Sequence, residues 1–198
     1  MNFDQETING FKRIINDGLA YGVFLFDFAF RQEIEKHVSI QLFHSPEHMK
    51  QTTLKLLWHY IEKSGSKSLI VYTEDDPALT TVGTWVAYEN KFPFYSYNLE
   101  DKGAFSQFIE PAKCPCTILI PYSTNDIQVN EILELFLKQK VPINQIISMV
   151  EEHHLETNFL KNGIDYVSIS NWDSITKRFR AFKNLTPKKM TDLLANFQ

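Results

Sequence analysis

Cysteine is scarce in this chain, and its two cysteines are separated by a single residue. Cys114 and Cys116 flank Pro115 and are the only thiols among 198 residues. Two cysteines this close in sequence do not form a comfortable disulfide, and together they supply only half of the ligands of a structural zinc site. We therefore expect both thiols to be reduced and the protein to be cytoplasmic.

Long hydrophobic runs are also missing. No run of about 18 apolar residues occurs, so we expect no membrane-spanning helix. Near the amino terminus, the acidic residues Asp4 and Glu6 precede any apolar run, which is unlike the basic start of a signal peptide. The sequence thus predicts no contact with a membrane.

Excess positive charge is absent as well. Twenty Lys and Arg stand against 24 Asp and Glu, giving a net charge of −4. This balance argues against nucleic acid binding through bulk electrostatics. The one basic stretch, residues 177–189, is expected to be a solvated helical face, with an anion or partner site as the alternative.

Aromatic residues, in contrast, are plentiful. The chain has 16 Phe, eight Tyr and three Trp, within a hydrophobic fraction of 43% that is usual for globular proteins. We expect most of them, including Trp58 and Trp85, to fill the core rather than to form a stacking surface. No interdomain linker is evident, so residues 1–198 are predicted to form one domain.

Strand and helix patterns alternate through the middle of the chain. Apolar runs without polar alternation, such as Ser68–Tyr72, are typical of strands covered on both faces. Strands separated by helices imply parallel pairing through right-handed crossovers. The sequence therefore predicts an α/β fold with a five-stranded, doubly wound parallel sheet. Its strands are expected at residues 68–72, 93–97, 117–121, 145–150 and 166–169.

The two ends of the chain carry different patterns. Helical spacing predicts an amphipathic helix over Asp4–Ala20. Alternating aromatics over residues 21–43 predict a small antiparallel hood. The predicted organisation is an amino-terminal helix and hood (1–45), an α/β core (46–175) and carboxyl-terminal helices (176–198).

Ligands of an open parallel sheet bind outside the carboxyl ends of its strands. Three loops meet this condition, namely residues 73–77, 98–110 and 121–126. We expect the functional residues of this chain to lie in them.

The third loop resembles the ligand-binding motif of type I phosphoribosyltransferases. That motif is an apolar strand, two acidic residues, a turn of Thr, Ser and Gly, and a helix; the strand Thr117–Ile120 and the helical run Ile127–Leu133 match it. The segments Tyr21–Phe24, Leu42–Glu47 and Asn162–Ile164 resemble the orotate branch of the family. The resemblance spans roughly residues 18–175 and implies this fold, a phosphate or nucleotide-like ligand, and a homodimer.

The motif itself departs from the family pattern. Pro121-Tyr122 stands where the resemblance implies an acidic pair that contacts ribose hydroxyls. The turn has no glycine, and Asp126 would oppose a bound anion. The turn nevertheless keeps hydroxyls and a predicted helix cap at Asn125, which could hold a phosphate. The candidate ligand-binding residues are Tyr122, Ser123, Thr124, Asn125 and Thr73.

The other two loops also depart. The resemblance implies a Gly-rich pyrophosphate loop, but this chain has Glu74, Asp75 and Asp76 there, which would repel pyrophosphate unless metal ions intervened. These three are candidate Mg²⁺ ligands; the alternative, which we favour, is a helix cap at Asp76 and two solvated acids. Of the basic catalytic stretch only Lys102 and Gly103 remain, so Lys102 is the candidate catalytic residue.

These departures lead to two main hypotheses. The first is an orotate phosphoribosyltransferase-like protein without standard transferase activity that acts as a small-molecule-binding or regulatory protein. The second is a divergent transferase that uses Lys102, the acidic loop and Mg²⁺ to transfer phosphoribose from phosphoribosyl pyrophosphate to a nucleobase such as orotate. A metal-dependent hydrolase built on the acidic loop and Glu151 is a third hypothesis.

The contact surface of the homodimer is also predicted. We expect it to be formed by the hood and the segment after Phe94, because aromatic residues are enriched in interface cores.

Overall fold

The computed structural model describes residues 3–25, 47–73, 77–98, 114–152, 155, 163–184 and 189. Within these residues the chain forms five helices and five strands. The helices are α1 (Gln5–Leu25), α2 (Glu47–Ser64), α3 (Pro77–Asn90), α4 (Asp126–Lys138) and α5 (Trp172–Lys183). The strands are β1 (Ser68–Thr73), β2 (Phe94–Asn98), β3 (Cys116–Ser123), β4 (Ile143–Glu151) and β5 (Asp165–Asn171).

The five strands form one parallel sheet in the order β2-β1-β3-β4-β5. A single row of paired residues crosses all of it, running through Tyr95, Ile70, Ile118, Ile146 and Tyr166. The predicted five-stranded parallel sheet is confirmed.

Helices cover both faces of the sheet and create two hydrophobic clusters. The first cluster lies between the sheet and helices α1, α2, α3 and α5, and the second lies between the opposite face and α4. The central residues Ile118, Leu119 and Ile120 of β3 alternate between the two clusters and are fully buried. Burying one such side chain contributes about 1.5–3 kcal/mol, so β3 is a large part of what holds the two layers together.

The hood prediction is wrong at its start. Helix α1 runs on to Leu25, so Tyr21–Phe24 are helical where a strand was predicted. Each residue added to an established helix gains one backbone hydrogen bond, and Leu19 and Ala20 are already packed in the first cluster. The gain from extending α1 is larger than the strand preference of a short run of alternating aromatic residues. Residues 26–46, which include the rest of the predicted hood, lie outside the described residues.

Part of the basic stretch, residues 177–189, makes a contact inside the protein. Helix α5 packs Ile175 into the first cluster, and the Arg178 guanidinium binds Asp17 of α1 through distances of 2.5 and 3.0 Å. Burial raises the pKa of Asp17, and the charge of Arg178 opposes that rise. Of the predicted carboxyl-terminal helices (176–198), residues 185–188 and 190–198 lie outside the described residues. The assignment of the chain to a single domain stays a prediction.

Burial of the aromatics was only partly predicted. Trp85 is 41% exposed and Tyr88 is 77% exposed, so the prediction that Trp85 is a core residue is wrong. The reason is the rotation of α3 about its own axis, because Val82, Val86 and Ala87 already form its buried side.

The two cysteines are free thiols. Neither forms a disulfide, and burial raises the pKa of Cys116 to about 12. Among the described residues, no helix is long and apolar enough to cross a membrane.

Gly83 tests how tightly α3 packs on the sheet, and Gly10 of α1 serves as a control. A β-carbon at Gly83 would collide with Val71 of β1 and lie 2.9 Å from Phe94 of β2, whereas one at Gly10 of α1 meets nothing within 4 Å. We expect Gly83→Ala to lower the free energy of unfolding by about 1–3 kcal/mol. Gly10→Ala, the matched control, should raise it by about 0.5–1 kcal/mol through helix propensity alone. Urea unfolding measures both, and a stabilising Gly83→Ala would contradict the packing described for α3.

Candidate functional site

Three strands end side by side at one edge of the sheet. Strand β1 ends at Thr73, β3 at Ser123 and β4 at Glu151, and Ser123 pairs directly with Glu151. Helix α3 returns over the first cluster, while α4 returns over the second. The neighbouring strands β1 and β3 therefore send their helices to opposite faces, which opens a crevice at their carboxyl ends. The loops predicted to bind ligand adjoin this crevice.

The loop after β3 ends in a well-formed helix cap. The backbone of Asn125 is extended, and its side-chain oxygen accepts a hydrogen bond from the backbone N–H of Gln128 at 2.9 Å. Asp126 follows in the first turn, where a negative charge complements the helix dipole. The sequence prediction of a helix capped at Asn125 is confirmed.

The side chain of Gln128 reaches back over the same loop. Its Oε1 atom accepts a hydrogen bond from the backbone N–H of Thr124 at 2.8 Å and another from the Thr124 hydroxyl at 3.0 Å. A phosphate held by this turn would need those same donors. The amide oxygen of Gln128 thus lies where an anionic oxygen would have to bind.

Two other candidate residues point into the protein instead. Tyr122 is 6% exposed and belongs to the first hydrophobic cluster. Ser123 is fully buried, and its hydroxyl lies 2.7 Å from the hydroxyl of Tyr166. Of the four consecutive candidates, only Thr124 and Asn125 are accessible, and the ligand-binding role of all four stays a prediction.

A buried polar cluster lies behind the edge. The Tyr166 hydroxyl donates to Oε2 of Glu151 at 3.4 Å, and that carboxylate is 2% exposed. Burial raises the pKa of Tyr166; the hydrogen bond from Ser123 opposes this rise, and the charge of Glu151 adds to it. Tyr166 therefore stays protonated and acts as a donor, which suits a structural link between β3, β4 and β5.

Helix α1 adds a cation near this cluster. The ammonium of Lys12 donates to the backbone oxygen of Ser168 at 2.6 Å and lies 5.8 Å from the centre of the Tyr60 ring. Burial lowers the pKa of Lys12, and the opposite charge of Glu151 resists that change. The attraction between Lys12 and Glu151 ties α1 electrostatically to the end of β4.

The remaining candidates fall mostly outside the described residues. Thr73 is the last residue of β1, and residues 74–76 and Lys102 lie outside the described residues. The Mg²⁺ and catalytic assignments therefore stay predictions. In the part of the chain that the structure does describe, no three His, Cys, Asp or Glu residues are grouped so as to hold a metal ion.

Gln128 and Tyr166 were not singled out by sequence reasoning. For Gln128 a signal existed, because a capping residue followed three positions later by Gln or Glu is a known helix-start pattern. For Tyr166 there was none, because its contact with Ser123 spans 43 residues and arises only from the strand order.

The buried cluster makes a stability prediction. Tyr166→Phe removes a donor to Glu151 and the partner of Ser123, so it should lower the free energy of unfolding by about 1–3 kcal/mol. Ser123→Ala should cost about 1 kcal/mol, and the double variant should cost less than the sum because the two hydroxyls share one contact. Chemical denaturation of the four proteins measures this coupling. Strictly additive costs would show that the two hydroxyls do not interact.

Comparison with known proteins gives structural similarity only. No family model matches this sequence, and no curated protein matches it. Orotate phosphoribosyltransferase from Aeropyrum pernix is 13% identical, with 71% of this chain and 81% of that one covered and a TM-score of 0.49. A phosphoribosyltransferase from Corynebacterium diphtheriae is 10% identical, with 68% and 80% covered and a TM-score of 0.49. A hypothetical protein from Neisseria gonorrhoeae with bound ppGpp is 12% identical, with 69% and 94% covered and a TM-score of 0.47.

These values limit what the similarity means. The structural likeness to orotate phosphoribosyltransferases and related proteins, which the sequence motifs predicted, is present. At such low identity and TM-score it describes the fold alone and carries no argument about activity or ligand. The chain is an α/β protein with five parallel strands in the order β2-β1-β3-β4-β5.

Proposed function

We propose that this chain is a phosphoribosyltransferase-like protein that does not catalyse phosphoribosyl transfer and acts as a small-molecule-binding or regulatory protein. One observation carries the first half of this proposal. Both donors of Thr124, in the turn that a 5′-phosphate would occupy, are held by the Gln128 side chain. A substrate phosphate must break these hydrogen bonds before it can bind.

The ribose side of the site supports the same conclusion. Carboxylates bind ribose hydroxyls by accepting hydrogen bonds, and neither Pro121 nor Tyr122 carries a carboxylate. Tyr122 is, moreover, packed in the first hydrophobic cluster. The two positions that should clamp the ribose therefore offer it nothing comparable.

The missing groups should also slow phosphoribosyl transfer by several orders of magnitude. Removing a single charge-stabilising group costs about 10²–10³ in rate. The sequence lacks the acidic pair, the glycine-rich pyrophosphate loop and most of the basic catalytic stretch. The combined loss would leave the reaction close to its uncatalysed rate.

The transfer reaction itself gives a direct test. We expect purified protein with orotate, phosphoribosyl pyrophosphate and Mg²⁺ to form no orotidine monophosphate above a control without enzyme. Restoring acids with Pro121→Asp and Tyr122→Asp should not rescue activity and should lower stability, because Tyr122 is buried. Circular dichroism checks that this variant is folded. Turnover by the wild type that is lost on Lys102→Ala would overturn the proposal and support a divergent transferase.

Ligand binding is tested separately through Gln128. Gln128→Ala frees the N–H and hydroxyl of Thr124, so we expect ribose 5-phosphate or a nucleotide to bind this variant more tightly than the wild type. A ligand at about 100 times its Kd stabilises by about 2.7 kcal/mol, which raises the melting temperature by several degrees. Phosphoribosyl pyrophosphate, orotate, nucleotides and ppGpp, the ligand of one similar structure, form the screen.

The matched control is Asn130→Ala. Its side chain donates to the backbone oxygen of Asp126 on the same helix and does not contact Thr124. It should leave ligand-induced shifts equal to those of the wild type. If no phosphate ligand shifts the melting temperature of the wild type or of Gln128→Ala, the ligand-binding half of the proposal fails.

A further inference from the structure

The end of α2 meets the sheet through a cluster of hydroxyl groups. Ser64 is the last residue of α2, Ser66 follows it closely, and Thr117 lies at the start of β3. The Oγ atoms of Ser64 and Ser66 are 2.8 Å apart. Oγ1 of Thr117 lies 2.9 Å from Oγ of Ser66 and 3.5 Å from Oγ of Ser64. These three oxygens form a small triangle, and Ser66 and Thr117 are 2% and 0% exposed.

The hydroxyl protons of this triangle are all committed. Thr117 donates to Ser66, and Ser64 donates to the backbone oxygen of Ile61 at 2.8 Å. Because a hydroxyl has a single proton, the contact between Ser66 and Ser64 is donated by Ser66. The triangle therefore offers a neighbour only oxygen lone pairs.

Gln145 adds a fourth oxygen at the same place. It pairs with Thr117 in the register of β3 and β4, and paired residues of neighbouring strands lie on the same face of a sheet. Gln145 is 3% exposed, and its buried Oε1 atom accepts no hydrogen bond from any residue that the structure describes. A buried oxygen without a donor is destabilising. The triangle and this oxygen, together the four-oxygen group, thus need a ligand that carries positive charge or protons.

The surrounding charges favour a cation. The carboxyl end of a helix carries partial negative charge, and Ser64 ends α2. Asp165 pairs with Gln145 in the register of β4 and β5, so it adds a carboxylate on the same face of the sheet. Lys67 is exposed, so water and salt screen its repulsion. The net effect of the helix end and Asp165 is attraction of a positive ion.

The neutral character of the four oxygens limits the charge of that ion. Calcium and magnesium ions are bound mainly through carboxylates, and magnesium gives up its water reluctantly. Uncharged oxygens can instead replace the hydration shell of an alkali-metal ion, as carbonyl oxygens do in potassium channels. An ordered water could also donate to such oxygens, but stability would then not depend on which salt is present.

We infer that the four-oxygen group binds an alkali-metal cation, sodium or potassium. The ion joins the end of α2 to β3 and β4, where Asn144 also donates to the backbone oxygen of Ser64 at 2.8 Å. The four-oxygen group lies at the amino edge of the sheet, and the Thr124 loop lies at the carboxyl edge. Cation binding is thus independent of the proposed function, and it makes the packing of α2 on the sheet sensitive to the ions in solution.

Exchange of salts at constant ionic strength tests the inference. The melting temperature of the purified protein is compared in the chlorides of sodium, potassium and tetramethylammonium. An alkali-metal ion at about ten times its Kd should raise the melting temperature by about 3–6 °C relative to tetramethylammonium. Gln145→Leu and Thr117→Val each replace an oxygen-bearing side chain by an apolar one of similar size, and each should abolish most of this difference.

The controls separate ion binding from general salt effects. Gln139→Leu makes the same replacement at an exposed residue after α4 and should keep the full difference. In tetramethylammonium chloride, Gln145→Leu should melt at or above the temperature of the wild type, because it removes a buried oxygen without a donor. Equal melting temperatures of the wild type in all three salts would overturn the inference and leave ordered water as the occupant. A salt difference that both Gln145→Leu and Thr117→Val retain would overturn it as well.

Discussion

Strand β3 is covered on both faces and paired along both edges, and the rest of the fold is arranged around this one requirement. Its neighbours β1 and β4 must run parallel to it, and a helix must shield each face. Because β3 cannot shift without exposing apolar surface, the turn that follows it is held in a fixed place. The geometry around Thr124 and Gln128 therefore begins with the burial of Ile118, Leu119 and Ile120.

The fixed position of this turn explains why its hydrogen-bond donors can be satisfied without a ligand. The backbone N–H and the hydroxyl of Thr124 lie near the amino terminus of α4 and need a hydrogen-bond acceptor. The acceptor is the side-chain oxygen of Gln128. The partners of these hydrogen bonds are only four residues apart, so no long loop has to close to form them. In this chain the contacts are already complete.

Several features were readable from the sequence because they depend on neighbours along the chain. The helix cap at Asn125 and the unbroken apolar runs of the strands are of this kind, and both are confirmed. The hood prediction failed over Tyr21–Phe24 because a short alternating pattern competes with the continuation of an existing helix. The exposed position of Trp85 was missed for a related reason, since a helical pattern does not say which of its neighbouring faces meets the sheet.

The sequence by itself determined the α/β class, the parallel pairing and the absence of carboxylates at Pro121-Tyr122, because each depends on residue type and spacing. The tertiary structure alone decided which polar groups meet. Tyr166 reaches Ser123 across the intervening strand β4, and Arg178 of α5 binds Asp17 of α1. Such contacts depend on strand order and helix rotation, which are set by the packing of the whole core and not by any local segment.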